Sequence, residues 1–89
     1  MIFFAPDLAF NSSTNINYQL LDQNHIRLNI FNTNGHAVIE LVNKFQEAGI
    51  HLIPWKGTND KGLNLPSGIY YYQIQVGDHL EIDKMVLIK

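Results

Sequence analysis

Cysteine is absent from this chain. Disulfides and thiolate chemistry are thereby excluded, and one common way of stabilising a small exported domain is missing. Charge is sparse as well. Charged residues make up 16% of the 89, six basic against eight acidic, and no basic run occurs. The electrostatic footprint that nucleic acid or an anionic membrane surface requires is therefore lacking. Long hydrophobic stretches are missing too. The opening Met1-Ile2-Phe3-Phe4-Ala5 is a short apolar run with no basic leader, too short for a signal peptide or a membrane span, so an exported form would carry its signal upstream. What remains is a composition that is 46% hydrophobic, that of a globular chain, with a length that fits one domain over residues 1–89.

The punctuation is that of an all-β domain. Turn-forming clusters recur at Asn11-Ser12-Ser13, Asp22-Gln23-Asn24, Asn32-Thr33-Asn34-Gly35, Glu47-Ala48-Gly49, Asn59-Asp60-Lys61-Gly62, Pro66-Ser67-Gly68 and Gly77-Asp78. Between them run segments of period two. Residues 14–20 place Ile16, Tyr18 and Leu20 on one face; residues 25–31 place Ile26, Leu28 and Ile30 inward with Arg27 and Asn29 outward. Residues 37–42 are more apolar and read as a strand buried on both sides. Helical spacing competes there through Phe45, but Gly boundaries and β-branched residues favour a strand. Residues 50–55 form another strand, with Pro54 marking an edge or a strand end. Residues 69–76 and 80–88 form the last pair, and a short strand near residues 2–4 brings the count to about seven. The fold class expected is an immunoglobulin-like antiparallel β-sandwich. Asn34-Gly35 predicts a type I′ two-residue hairpin, and Gly77-Asp78 a type II′ one.

Chemistry is thin. His25, His36, His51 and His79 lack ligand spacing and read as surface histidines, so no metal site is expected. Asn59-Asp60-Lys61-Gly62-Leu63-Asn64 resembles a calcium loop in its oxygen content but lacks the closing acid, which favours a plain turn. Ser12, Ser13 and Ser67 have no nucleophile elbow around them. The acids scatter among turns and strand faces, and a concave pocket of about 300 Å³ or more is hard to build on so small a sandwich. No catalytic residue, cofactor, small-molecule substrate or nucleic-acid partner is expected. Tyr70, Tyr71 and Tyr72 must alternate faces in a strand, so they cannot form one stacking platform; Tyr70 and Tyr72 share a face with Ile74 and read as core, as does Trp55. Lys84 and Lys89 read as edge-strand lysines that deter aggregation. Open edge strands permit a homodimer.

Five segments together resemble a known family. Phe10-Asn11-Ser12-Ser13-Thr14-Asn15-Ile16 resembles its opening Asn-Pro-Phe-Asn-Pro-Ser-Thr-x-Ile, and Ile30-Phe31-Asn32-Thr33-Asn34-Gly35 its polar hairpin. Trp55-Lys56-Gly57-Thr58-Asn59-Asp60-Lys61-Gly62 resembles its Trp-Asp-Gly-x-Asp-x-x-Gly. Pro66-Ser67-Gly68-Ile69-Tyr70-Tyr71-Tyr72 resembles its Pro-x-Gly-Val/Ile-Tyr-x-Tyr, and Lys84-Met85-Val86-Leu87-Ile88-Lys89 its terminal Lys-flanked apolar run. These are segments of the C-terminal sorting domain of type IX secretion cargo, which is similar in pattern to the immunoglobulin-like domain of the flagellar hook-capping protein. The chain departs from the pattern at Leu8-Ala9, Ser12, Lys56 and Asp83. The resemblance implies a non-catalytic module fused to an upstream passenger, read by outer-membrane secretion machinery, and carried through the periplasm to the cell surface or beyond. It implies recognition through Gly68, Tyr70, Lys84, Met85, Val86, Leu87, Ile88 and Lys89. An exposed hairpin edge suits strand addition by such a receptor. The alternative is a structural immunoglobulin-like spacer or assembly module of a surface enzyme or a flagellar-hook-related protein. A third class, a carbohydrate-binding module, would use Trp55 as its platform.

Overall fold

A computed structural model describes residues 2–4, 9–11 and 13–88, with side chains from Ser13 onward. The described strands are β1 (Ile2–Phe4), β2 (Ala9–Asn11), β3 (Thr14–Leu20), β4 (Asn24–Phe31), β5 (Ala37–Gln46), β6 (Gly49–Trp55), β7 (Gly68–Val76) and β8 (His79–Ile88). They form two sheets, one in the order β1-β3-β6 and the other β2-β8-β7-β4-β5. Period-two patterning is what makes this possible. Burying Ile16, Tyr18 and Leu20 on β3 aims the opposite parity at solvent, and β4 and β7 do the same with Ile26, Leu28, Ile30 and with Tyr70, Tyr72, Ile74, Val76. These three strands meet Val42, Trp55, Met85 and Leu87 in one apolar layer between the sheets. Each large side chain taken fully out of water there contributes about 1.5–3 kcal/mol.

The two sheets are joined by short connections. Leu21-Asp22-Gln23 carries the chain from β3 in the small sheet to β4 in the large one, and Glu47-Ala48 returns it from β5 to β6. Tyr18 and Gln46 tie the layers across the core, the phenol donating to Gln46 Oε1. Gln46 is the buried polar side chain among the described residues, and this bond satisfies its carbonyl.

Four expectations are corrected. The described strands number eight rather than about seven, and the addition, β2, runs parallel to β8 with Ala9, Phe10 and Asn11 opposite Val86, Leu87 and Ile88. The sandwich is therefore not antiparallel throughout. Three residues carry no legible alternation, and their strand state comes from the edge they pair with. Second, β5 is not buried on both sides. It is the last strand of the large sheet, runs on to Gln46, and leaves Phe45 67% exposed. Register shifts leave Val38 and Leu41 without partners on β4, two bulges that spoil the even pleat a doubly buried strand needs.

Third, the Asn34-Gly35 hairpin is not a two-residue type I′ turn. Gly35 N donates to Asn32 O at 3.0 Å, so Thr33 and Asn34 are the central turn residues, and Asn32 N pairs with His36 O. Gly35 follows the turn at φ 82°, the left-handed residue of a three-residue loop. The Asn32 carboxamide selects this geometry by accepting the N–H groups of both Asn34 and His36 at 3.0 Å. At the other hairpin Gly77 has φ 58° at the first central position, as Gly77-Asp78 predicts. Fourth, three of the histidines are not free groups: besides His79, which lies 3.0 Å from a Glu81 carboxylate oxygen, His51 and His25 make ring contacts. The His51 ring stacks on Tyr18 at 5.4 Å between centroids and bonds Glu47 O, and His25 meets Phe45 edge-on at 5.3 Å.

Candidate functional site: the closing hairpin

The β7–β8 hairpin pairs without a shift from Val76↔His79 to Gly68↔Leu87. Register decides what each of its residues can do. Tyr70 lies opposite Met85, so Tyr70, Tyr72 and Ile74 share the inward face with Met85 and Leu87. The opposite parity, Lys84, Val86 and Ile88 on β8 with Ile69 and Tyr71 on β7, points away from the core. The eight residues expected to be read by a receptor therefore divide. Tyr70, Met85 and Leu87 are buried. Lys84 and Ile88 are exposed, and Gly68 and Val86 are half-buried. Lys89 lies outside the described residues. A receptor meeting the folded domain can touch the second and third groups but not the first, whose effect is to hold the shape.

The turn leading into β7 is clamped from below. Trp55, 1% exposed, packs edge-on against Tyr70 with ring centroids 5.5 Å apart, and its indole N–H donates to Thr58 O at 2.9 Å. The Tyr70 hydroxyl donates to Pro66 O at 2.7 Å. Trp55 is thus a core plug, as its sequence position suggests, and its face is not available to a sugar ring. The 59–64 loop closes on itself. Asn59 Oδ1 accepts from Lys61 N and Leu63 N, so the side-chain oxygen a cation would need already serves the turn.

Electrostatics gather at the start of β8. His79 Nε2 lies 3.0 Å from Glu81 Oε1, and Glu81 and Asp83 share the inward parity of β8 at a margin where the layer above does not cover them. Burial raises the Tyr72 phenol, and the carboxylates of Asp83 and Glu81 raise it further. Burial also pushes Tyr18 up to about 12. The unfolded chain releases such protons near pH 10, whereas the folded chain keeps them. Stability is then full below about pH 10 and falls as pH rises toward about 12, by about 3 kcal/mol for Tyr18 alone. Urea unfolding followed across this range should show the midpoint dropping; a midpoint level from about pH 9 to about pH 11 would contradict the burial of both phenols.

Among the described residues, two of the depressions bear on the site. One, of about 260 Å³, lies between the Asn32–Asn34 turn and the Pro66–Tyr70 segment. The other is an open groove of about 570 Å³ running past Arg27, Asn29, Glu40 and Asp60. It exceeds about 300 Å³ but is an open groove rather than a closed concave pocket, and it runs along the strand that carries the two bulges. Arg27 Nη2 donates to Glu40 Oε2 at 3.1 Å and Asn43 Nδ2 to Glu40 Oε1 at 3.1 Å, which holds the Glu40 carboxyl below the usual carboxylate range. Arg27 and Glu40, two of the groove's three charges, are thus paired with each other at the surface. Among the described residues no group of three or more His, Cys, Asp or Glu side chains is placed to hold a metal ion.

Sequence reasoning missed β2, whose pairing covers only the last three residues of β8 and leaves the earlier part of that strand as a sheet edge among the described residues. No signal in Ala9-Phe10-Asn11 could have revealed it. No curated protein matches the chain. The FlgD Ig-like domain family matches residues 7–79, most of the length, in agreement with two stacked β-sheets. The chain belongs to the FlgD Ig-like domain family.

Proposed function

We propose that this chain is a non-catalytic immunoglobulin-like module that works as a spacer or assembly unit within a larger protein. The family match over residues 7–79 carries this reading, since that family is named for a flagellar component. The polar groups support it. Arg27 is paired with Glu40, His79 with Glu81, and the Asn32 and Asn59 side chains are spent on their own turns. A module of this kind acts through its faces and edges.

A second reading, a C-terminal sorting module that directs a passenger through the type IX outer-membrane translocon, is favoured by one observation. The family-like tail segment sets Lys84, Val86 and Ile88 in a row on the outward face, beside Ile69 of the Pro66-Ser67-Gly68-Ile69-Tyr70 segment. In that reading the outward row is met by the secretion machinery and the chain travels through the periplasm to the cell surface. One experiment separates the two. The domain is fused behind a periplasm-directed reporter in a type IX-competent bacterium, and medium, cell surface and periplasm are assayed. The spacer reading expects the reporter to remain in the periplasm. Reporter on the surface or in the medium, lost on Lys84→Ala with Ile88→Ala while the domain stays folded, overturns it in favour of sorting.

A further inference from the structure

We propose that the early part of β8 is a self-pairing edge, through which two copies of this domain join their large sheets antiparallel across a two-fold axis at Glu81. This goes beyond both functional readings and depends on neither.

Among the described residues several strands have an unpaired side, and these edges are not equally defended. The edge of β5 is broken by bulges at Val38 and Leu41, and the Val38 carbonyl already accepts Asp60 N at 3.0 Å. The edge of β6 carries Pro54, which has no N–H to give. β8 is regular from His79 to Met85, without proline, glycine or bulge, and no described strand pairs with its outer side there. Because Val76 and His79 close a two-residue hairpin as a hydrogen-bonded pair, residues of odd number turn their backbone groups to β7. Leu80 and Ile82 turn theirs to the side that no described strand covers, while Lys84 N, on the same side, donates to Asp83 Oδ1 at 2.8 Å. The pairing of β2 with residues 86–88 shows that this side accepts a strand.

Charge on the inward parity, His79, Glu81 and Asp83, deters an arbitrary strand. It does not deter a second copy in one register. With the axis on Glu81, His79 of one copy lies opposite Asp83 of the other, twice, and Leu80 lies opposite Ile82, also twice. Leu80 and Ile82 are 49% and 59% exposed in the monomer, and this pairing covers them with each other. The one like-charge contact is Glu81 against Glu81, and each of these carboxylates is held by its own His79 at 3.0 Å. Moving the axis to Ile82 sets Glu81 against Asp83 twice and Lys84 against Leu80. Moving it to Leu80 shortens the pairing by running it into the Gly77-Asp78 turns. In this register the partner strand ends at its own Gly77-Asp78 turn, before the three residues of β8 that pair with β2. Tyr72 and Ile74 face the charged row from β7, and neither carries a compensating charge.

Sedimentation velocity on the whole domain over a concentration series tests this, with thermal unfolding to confirm each variant is folded. The wild type should show a monomer–dimer equilibrium. Ile82→Lys should weaken it at least about tenfold with an unchanged thermal transition, because two apolar pairs are lost and two ammonium groups take their place. Glu81→Gln should tighten it about threefold by removing the like-charge contact. Glu81→Cys, in a chain with no other cysteine, should oxidise to a covalent dimer, since the two positions face each other in a close non-hydrogen-bonded pair. A wild-type domain that stays monomeric at about 1 mM overturns the proposal. So does an Ile82→Lys dimer as tight as wild type, or a Glu81→Gln substitution that weakens association.

Discussion

Trp55→Ala is expected to destabilise the domain by about 3–5 kcal/mol, a large share of the roughly 5–15 kcal/mol that holds a domain of this size together. Three losses combine. The indole is 1% exposed, so its removal opens a cavity at the junction of β6 with the loop that follows. Tyr70 loses its edge-on partner at 5.5 Å. Thr58 O loses the indole donor at 2.9 Å. Since Trp55 is the one tryptophan, unfolding must be followed by circular dichroism rather than by its fluorescence. A loss under about 1 kcal/mol would mean that the turn before β7 is held by something other than this plug.

Neighbouring residues of the terminal run should differ sharply. Leu87→Ala is expected to cost about 2–5 kcal/mol, because Leu87 is fully buried against the core, whereas Ile88→Ala should stay within about 0.5 kcal/mol. Chemical denaturation of the two variants checks this directly, with the slope of the unfolding line unchanged in both. The contrast also tells how functional data on this segment should be read. A Leu87 or Met85 variant that loses partner binding has lost the shape of the hairpin. A Lys84 or Ile88 variant that loses binding at unchanged stability has lost a contact. Equal destabilisation by Leu87→Ala and Ile88→Ala would contradict the register in which Met85 pairs with Tyr70.

That register was not legible beforehand. Met85-Val86-Leu87-Ile88 is apolar at every position, so parity cannot be read from it; only the pairing with β7 says which two point inward. The alternation in residues 14–20, 25–31 and 69–76 was legible, because each of those strands has one face in the core and one in water. Asn34-Gly35 announced a hairpin correctly and its type wrongly. Both loop types want a left-handed glycine, and the choice between them rests with the Asn32 side chain reaching Asn34 N and His36 N. The groove beside Arg27 and Glu40 was invisible for a related reason, since bulges arise from how two strands meet and not from either alone.

The sequence by itself determined the class of the molecule. Apolar residues at every second position, with turn formers between, have no low-energy alternative to burying one face of a sheet, and without cysteine or clustered charge the core must do the stabilising. The tertiary structure decided how the edges among the described residues differ, through the parallel pairing of β2 with residues 86–88, the two bulges in β5 and the place of Pro54 on β6. Edge exposure depends on where distant segments come to rest on one another, and that is a property of the assembled sheets which local pattern does not encode.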